Sequence, residues 1–250
     1  KMDLSPLGPD PLLFIAALAL DGLLGDPVYR LHPLRLLGTT LTRIENALRY
    51  IHLDGYVGGC LLFLVLALLC VGEISGAVLY MEQVYSGLSW IFHLYILYSL
   101  IALRDLLKHG LAIDRAANAG DIDGTRIAAS MLVGRDTSRM DLAACRRAGM
   151  ESLSRNALDG FVSPLFFYAL LGLPGLMLFK IISTMDSMVG NKSPRYIRFG
   201  WCGARLDDLF NWLPARLGYL LMACVAFLLP GCSARKALAV GWQQHALVPG

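Results

Sequence analysis

Long oily runs alternate with short polar clusters along this chain, and their spacing sets its architecture. Residues 11–24 form an apolar stretch of about fourteen residues broken by Asp21, marginal against the roughly twenty needed to cross a bilayer. Residues 56–80 are long enough to cross, with Glu73 as their one charge, and residues 84–103 make a second span carrying His93 and several aromatics. From Gly58 to Leu103 there is no Lys or Arg, whereas basic residues lie before and after. The positive-inside bias predicts a membrane hairpin with both ends cytoplasmic and the turn near Glu82 outside. Residues 161–182 are again span-length, but Gly172-Leu-Pro-Gly175 cuts them in half. Two half-length helices around such a turn dip into the membrane and return, or the segment crosses with a kink. One site using the polar clusters on both sides requires the re-entrant form or a cavity open at mid-depth, and the re-entrant form is expected. Residues 213–230 are the last apolar stretch.

Residues 104–160 read differently, with nine basic and eight acidic residues and apolar positions at helical spacing, as in Ile127, Met131 and Leu132. Asp121 or Asp123 suits the cap of one helix and Gly134 its end. Ser138-x-x-Asp141 resembles a capping box opening the next. That helix runs toward Asn156 with Glu151, Arg155 and Asp159 at i, i+4 and i+8. The pattern predicts an all-α, polytopic integral membrane protein forming a single domain over residues 1–250. It has a membrane helix hairpin, a helical cytoplasmic portion over 104–160 and a re-entrant helix pair.

Composition agrees. At 56% hydrophobic and 16% charged, with mean hydropathy +0.56, the chain is too oily for an ordinary soluble domain. A net charge of +3 without a long basic run argues against a nucleic-acid partner. Six cysteines are scattered without a C-x-x-C pair, and Cys60, Cys70 and Cys224 fall inside apolar runs. Buried thiols are favoured there over metal ligands. No basic n-region with a cleavage site opens the chain, so a secreted precursor is not expected. Gly72-x-x-x-Gly76 reads as a helix-packing contact.

Ionisable residues beside a membrane usually have a partner or a function, and four polar clusters crowd into about eighty residues here. In Gly134-Arg-Asp-Thr137, Arg135 is a fork donor suited to phosphate or carboxylate, and the neighbouring backbone amides face a helix start; Asp136 or Thr137 alternatively caps that helix. Asn156 and Asp159, at i and i+3 with Glu151 behind them, offer oxygen ligands of the kind Mg²⁺ takes alongside substrate phosphates. Asp186, Asp207 and Asp208 add carboxylates, although Arg205 and Asn211 stand three residues either side of Asp208 and allow local pairing. Lys180 ends an oily run, where a snorkelling anchor is the ordinary explanation. Gly190-Asn-Lys-Ser193 lacks the glycine spacing of a Walker A loop. Asp26, held extended by Pro27, and His32 share one short loop after the first apolar stretch, either as a functional pair or as a polar turn with an interfacial His.

Taken in order, Gly25-Asp-Pro27, His32-Pro33, Gly134-Arg-Asp-Thr137, Glu151 through Asn156 to Asp159-Gly160, Pro164-Leu-Phe-Phe167, Thr184-Met-Asp-Ser-Met-Val-Gly190, Tyr196, Ala204-Arg-Leu-Asp-Asp208, Asn211 and Leu213-Pro-Ala-Arg-Leu217 resemble the CobD/CbiB family of cobalamin biosynthesis, the adenosylcobinamide-phosphate synthases. The resemblance runs from about Asp21 to His245. Family members continue past this point with a Pro-Asn-containing loop and another apolar segment. The resemblance implies an inner-membrane, ATP-dependent ligase, with its active site on the cytoplasmic side. The reaction joins a propionate carboxylate of adenosylcobyric acid to 1-amino-2-propanol, or its O-phosphate, by an amide bond. Mg²⁺ and ATP are implied, with a corrinoid and an aminopropanol as substrates and other cobalamin-assembly membrane enzymes as partners beside the lipid bilayer.

On that basis Asp26, His32, Glu151, Asn156, Asp159 and Asp186 are the catalytic candidates. Asp159, Asp186, Asp207 and Asp208 are the metal candidates. Arg135, Asp136, Thr137, Lys180, Ser187, Lys192, Tyr196, Arg205, Asn211 and Arg216 are the candidates for binding substrate and phosphate. Arg135, Asp159, Asp186 and Asp208 are expected to converge on one centre. Two other readings stand beside this one. A non-catalytic membrane sensor like the distantly similar AmpE-type regulators needs no such density of Asp, Asn and Arg. A transporter would use Asp21 and Glu73 as intramembrane coupling groups.

Overall fold

The computed structural model describes residues 5–25, 29, 31–134, 136–228, 233, 235, 238 and 239. The described residues are all-helical: α1 (Pro11–Leu24), α2 (Pro33–Tyr50), α3 (Tyr56–Leu66), α4 (Gly72–Val84), α5 (Ser86–Ser99), α6 (Leu103–Asn118), α7 (Ile122–Ser130), α8 (Leu142–Ala157), α9 (Ser163–Val189) and α10 (Trp201–Leu228). Five helical stretches are long and apolar enough to cross a membrane: Ser5–Leu24, Tyr56–Val84, Ser86–Asn118, Leu142–Val189 and Trp201–Leu228. This is a multi-pass membrane protein. The first stretch exceeds the fourteen residues read from the sequence because a 3₁₀ turn (Ser5–Leu7) precedes α1. Asp10 caps α1, accepting from the Leu12 and Leu13 amides, with Pro11 at the first helical position.

Two apolar cores organise the bundle, and α9 contributes to both. One gathers Leu13, Ala17, Val78, Ile96 and Leu97 around Leu173 and Leu176. The other gathers Leu37, Leu41, Leu62 and Leu66 around Ile181, Met185 and Phe199. Outward faces of α1 and α10 expose Leu12, Ile15, Leu220, Leu221 and Phe227, as helices bordering lipid must. Cys224 lies on that outer face, exposed rather than buried as expected.

The chain reverses inside α9. Gly172 has φ +66°, and a Cβ there would run into the Leu7 carbonyl and the Gly8 backbone. Only glycine meets both demands. Phe167 and Phe179 stack with centroids 5.5 Å apart, whereas an unbroken helix would separate them by about 18 Å. A Cβ at Gly72 or Gly76, by contrast, would meet nothing within 4 Å, so the expected helix-packing contact is not found there among the described residues. Close backbone approach falls instead to Gly59 and Gly200, which sit against the carbonyls of Phe199 and Val189.

Helices α6, α7 and α8 form a cap with its own small core of Ile113, Ala129 and Cys145. Asp121 caps α7 by accepting from Gly124 N at 2.9 Å. The capping box expected at Ser138 is displaced: α8 is capped by Asp141, which accepts from Ala144 N at 2.6 Å. Helix α2 was not legible as an element. Its buried stripe reads Leu37, Leu41, Glu45, Leu48, and the acidic residue breaks the apolar pattern.

Candidate functional site

Helix α8 passes into α9 through a π turn (Leu158–Val162), the kind of local widening that re-aims side chains and recurs at functional positions. Asp159 lies in this turn. From α10, Asn211 reaches across to it: Nδ2 donates to Asp159 Oδ1 at 3.0 Å and to Asp207 Oδ2, one turn back on α10, also at 3.0 Å. The Ser163 hydroxyl donates to Asn211 Oδ1 at 2.6 Å. That bond orients the amide, because the opposite flip would aim its oxygen at two carboxylates. Lys180, on the returning arm of α9, is buried and donates to the Asp159 carbonyl at 3.3 Å. It braces the π turn, where a membrane-surface anchor or a phosphate ligand was expected.

Beside this knot opens a cleft of about 680 Å³ lined by Arg155, Asp186, Lys192, Tyr196, Trp201, Arg205, Asp207 and Asp208. Its acidic groups feel one another: Asp207 lies in the field of Asp159 and Asp186, and Asp186 in that of Asp208. Arg155 is the cation common to Asp159, Asp186 and Asp207. Asp207 Oδ1 is buried without a hydrogen-bond partner among the described residues, an acceptor left open where buried acceptors are ordinarily filled.

Several predicted residues do not face this cleft. Glu151, Asn156 and Ser187 are exposed and outside its lining. Arg216 lies over the Trp212 ring at 3.8 Å and donates to the Trp212 carbonyl at 2.5 Å, so it is spent on its own helix. Arg205 pairs with Asp208 at 3.7 Å, the local pairing its spacing allowed, while still lining the cleft. Thr137 is buried and donates to the Arg126 carbonyl at 3.0 Å, fastening its loop to α7. Asp136 is exposed and accepts from the Ser138 amide, which holds its carboxyl below the usual carboxylate range. Neither caps α8, whose start is taken by Asp141. His32 caps α2, Nδ1 accepting from Leu34 N at 3.3 Å, and its buried ring stands edge-on to Tyr29. Asp26 and Arg135 lie outside the described residues. Asp21, a coupling group in the transporter reading, accepts from the Arg104 amide at 2.9 Å and so anchors the start of α6.

Sequence reasoning passed over Arg155, Trp201 and Ser163 as site residues. Arg155 sits four residues from both Glu151 and Asp159, so its spacing read as ordinary helix-face pairing. No single-sequence signal joins Ser163 to Asn211 across 48 positions.

These features define an all-helical membrane protein with an acidic, cation-rimmed cleft beside a reversed helix. Comparison with known proteins gives the family. The family described as CobD/Cbib protein matches residues 14–248. The cobalamin biosynthesis protein CobD of Yersinia enterocolitica is 36% identical over 235 residues, covering 93% of this chain and 74% of the relative. CobD of Klebsiella pneumoniae is 37% identical over 237 residues, and CbiB of Salmonella arizonae 34% over 237, each covering 94% of this chain and 74% of the relative. The chain belongs to the CobD/CbiB family, the adenosylcobinamide-phosphate synthase family of cobalamin biosynthesis. No solved structure matches it.

Proposed function

We propose that this chain condenses a propionate carboxylate of adenosylcobyric acid with 1-amino-2-propanol or its O-phosphate, with ATP and Mg²⁺, in the cleft between α9 and α10. The observation that carries the proposal is the Asn211 knot beside that cleft, set in a chain of this family. A free carboxylate is a poor acyl donor, and ATP would supply its activation by phosphoryl or adenylyl transfer.

Among the described residues no three His, Cys, Asp or Glu side chains form a ready-made metal cage. Mg²⁺ keeps several waters and takes one or two carboxylates plus substrate phosphates, so two carboxylates would be enough to hold it. Asp207, through its open Oδ1, and Asp186 or Asp208 would hold the ion, which would screen phosphate charge. Arg155, Lys192 and Arg205 rim the cleft as cations for phosphate and carboxylate oxygens. The incoming amine arrives as an ammonium, which the acidic wall attracts. A cleft carboxylate then takes its proton so that the nitrogen lone pair is free to attack. Asn211, Ser163 and Lys180 hold the Asp159 turn in place.

The membrane arrangement is part of the same proposal. The reversal at Gly172 supports a re-entrant α9, and the Lys- and Arg-free segment from Gly58 to Leu103 supports a hairpin with both ends cytoplasmic. The cleft then opens on the cytoplasmic face of the inner membrane, where other cobalamin-assembly membrane enzymes would exchange corrinoids with it.

The test is turnover. Purified protein incubated with adenosylcobyric acid, aminopropanol phosphate, ATP and Mg²⁺ is expected to form the cobinamide product, and Asp186→Asn and Asp207→Asn are expected to abolish it while remaining folded. No product from the well-folded wild type, or full turnover by both variants, would overturn the proposal.

A further inference from the structure

One wall of the cleft is a segment with little regular structure. Residues 191–199 join α9 to α10 through turns, with Ser193 O accepting from the Tyr196 and Ile197 amides. Lys192 and Tyr196 on this segment line the cleft. A short turn segment opens locally at low cost unless other elements tie it down.

Phe199 at its far end is buried in the second core, and the remaining tie comes from α2. Glu45 is only 4% exposed. Its Oε1 accepts from Arg49 Nε at 2.8 Å and from Arg195 Nη2 at 3.3 Å. Arg49 in turn donates from Nη2 to the Arg195 carbonyl at 3.3 Å. Its guanidinium lies 5.3 Å from the Tyr196 ring and 4.6 Å from the Phe199 ring. Arg195 covers Tyr196 at 5.3 Å. One buried carboxylate thus fixes two guanidiniums, and these grip the segment through its backbone and both of its aromatic rings. Neither Glu45 nor Arg49 lines the cleft. Burying an acidic side chain within the apolar stripe of α2 is costly unless it is paired, and its pairing is spent on this segment.

We propose that Glu45 and Arg49 are positioning residues that lock the 191–199 segment, and with it Lys192 and Tyr196, into the wall of the substrate cleft. The kinetic part of this inference rests on the proposed function; the mechanical part does not.

Two readouts test it on the full-length protein in detergent. Trypsin cuts after Lys192, Arg195 and Arg198 report opening of the segment, measured against cutting after exposed Arg139. Glu45→Gln should speed the first set about tenfold, the factor carried by losing charge assistance in one hydrogen bond. With turnover as the second readout, KM for ATP or the corrinoid should rise by a similar factor while kcat changes little. Arg49→Lys keeps the charge but loses the fork and the stacking, and should fall between wild type and Glu45→Gln. Arg195→Gln, at an exposed position, covers the case in which Glu45→Gln does not fold; the substitution removes the Arg195 cut, so opening is followed after Lys192 and Arg198 alone, and both readouts should move in the same direction. Arg43→Gln, exposed on α2, should move neither. Unchanged cutting in Glu45→Gln and Arg195→Gln overturns the lock. Faster cutting with unchanged KM overturns the positioning role, and a purely structural role would lower only thermal stability and active fraction. If the wild type makes no product, the proposed function fails, while the cutting rates still decide the lock.

Discussion

Asn211 carries the sharpest prediction. Replacing it with Leu, of similar length but apolar, removes one donor from Asp159, one from Asp207 and the acceptor of the Ser163 hydroxyl. Hydrogen bonds to charged acceptors are worth about 1.5–3 kcal/mol each and a neutral one about 1. The gross interaction lost is therefore about 4–7 kcal/mol. Two carboxylate oxygens that share one donor at 3.0 Å lie within 6 Å of each other. At an effective dielectric of 20, unit charges at that distance repel by about 3 kcal/mol. With the amide gone, this repulsion is relieved by a cation, by a proton shared between the two carboxyls, or by moving the π turn.

In Asn211→Leu, product formation should fall at least about a hundredfold, equivalent to about 2.8 kcal/mol of barrier. Part of the loss should return as Mg²⁺ is raised, because the cation takes over the role of the missing N–H groups. Adding Asp159→Asn should restore thermal stability, since one of the two repelling charges is then gone, without restoring turnover. Initial rates over a Mg²⁺ series, with melting curves on the same preparations, decide the matter. Wild-type turnover in Asn211→Leu at ordinary Mg²⁺, or a loss insensitive to Mg²⁺ at every level, would refute the reasoning.

Three further outcomes are expected. Gly172→Ala forces a Cβ into the Leu7 carbonyl at a positive φ and should destabilise the fold by more than about 2 kcal/mol, whereas Gly76→Ala, inside α4 and facing open space, should not destabilise it and gains up to about 1 kcal/mol of helix propensity; thermal melts in detergent compare them. Arg216→Ala should keep turnover within about twofold of wild type, since its guanidinium is occupied by Trp212 and an exposed stacked cation contributes only about 0.5–1 kcal/mol; a large loss of rate with stability intact would place Arg216 in the site after all. Single cysteines at Asn156 and Ser187 should react with an impermeant thiol reagent from the cytoplasmic side, and one at Glu82 from outside, as the charge bias of the flanking segments requires; Asn156 and Ser187 labelling from opposite sides would end the re-entrant reading.

The legible features were those set by local chemistry. Apolar run lengths located the membrane-length helices, the Gly/Pro cluster marked the break at Gly172, and the choice between Asp121 and Asp123 bracketed the cap of α7, which is Asp121. What escaped depends on neighbours distant in sequence. Helix α2 was hidden because a Glu sits in its buried stripe, which is comprehensible only once Arg195, 150 residues away, is known to meet it. Ser138 has the spacing of a cap, yet the chain enters α8 three residues later, where Asp141 does the same work. Thr137 and Arg216 have chemistry suited to phosphate, but tertiary contacts point one at the Arg126 carbonyl and the other at Trp212. Residue type gave the candidates; side-chain direction, which selects among them, is a property of the packed structure.

The geometry of α9 shows why the acidic groups gather where they do. The chain runs as helix from Asp159 to Gly172 and again from Gly172 to Asp186, arms of thirteen and fourteen residues. At 1.5 Å per residue each arm is about 20 Å long, so the reversal returns Asp186 to the level of Asp159. The Lys180 bond to the Asp159 carbonyl ties the arms together near that level. Equal arms therefore build a polar site at the mouth of an otherwise apolar hairpin. One Ala inserted between Leu170 and Leu171, both exposed on the outer face, would shift Asp159 by about 1.5 Å and rotate it by about 100° relative to Asp186. Membrane insertion should survive, because the added residue enters an exposed apolar stretch, but the Asn211 bridge cannot reach both of its carboxylates after such a rotation. Turnover should be lost with membrane yield retained. An insertion variant that folds and turns over at the wild-type rate would show that arm length does not set the site.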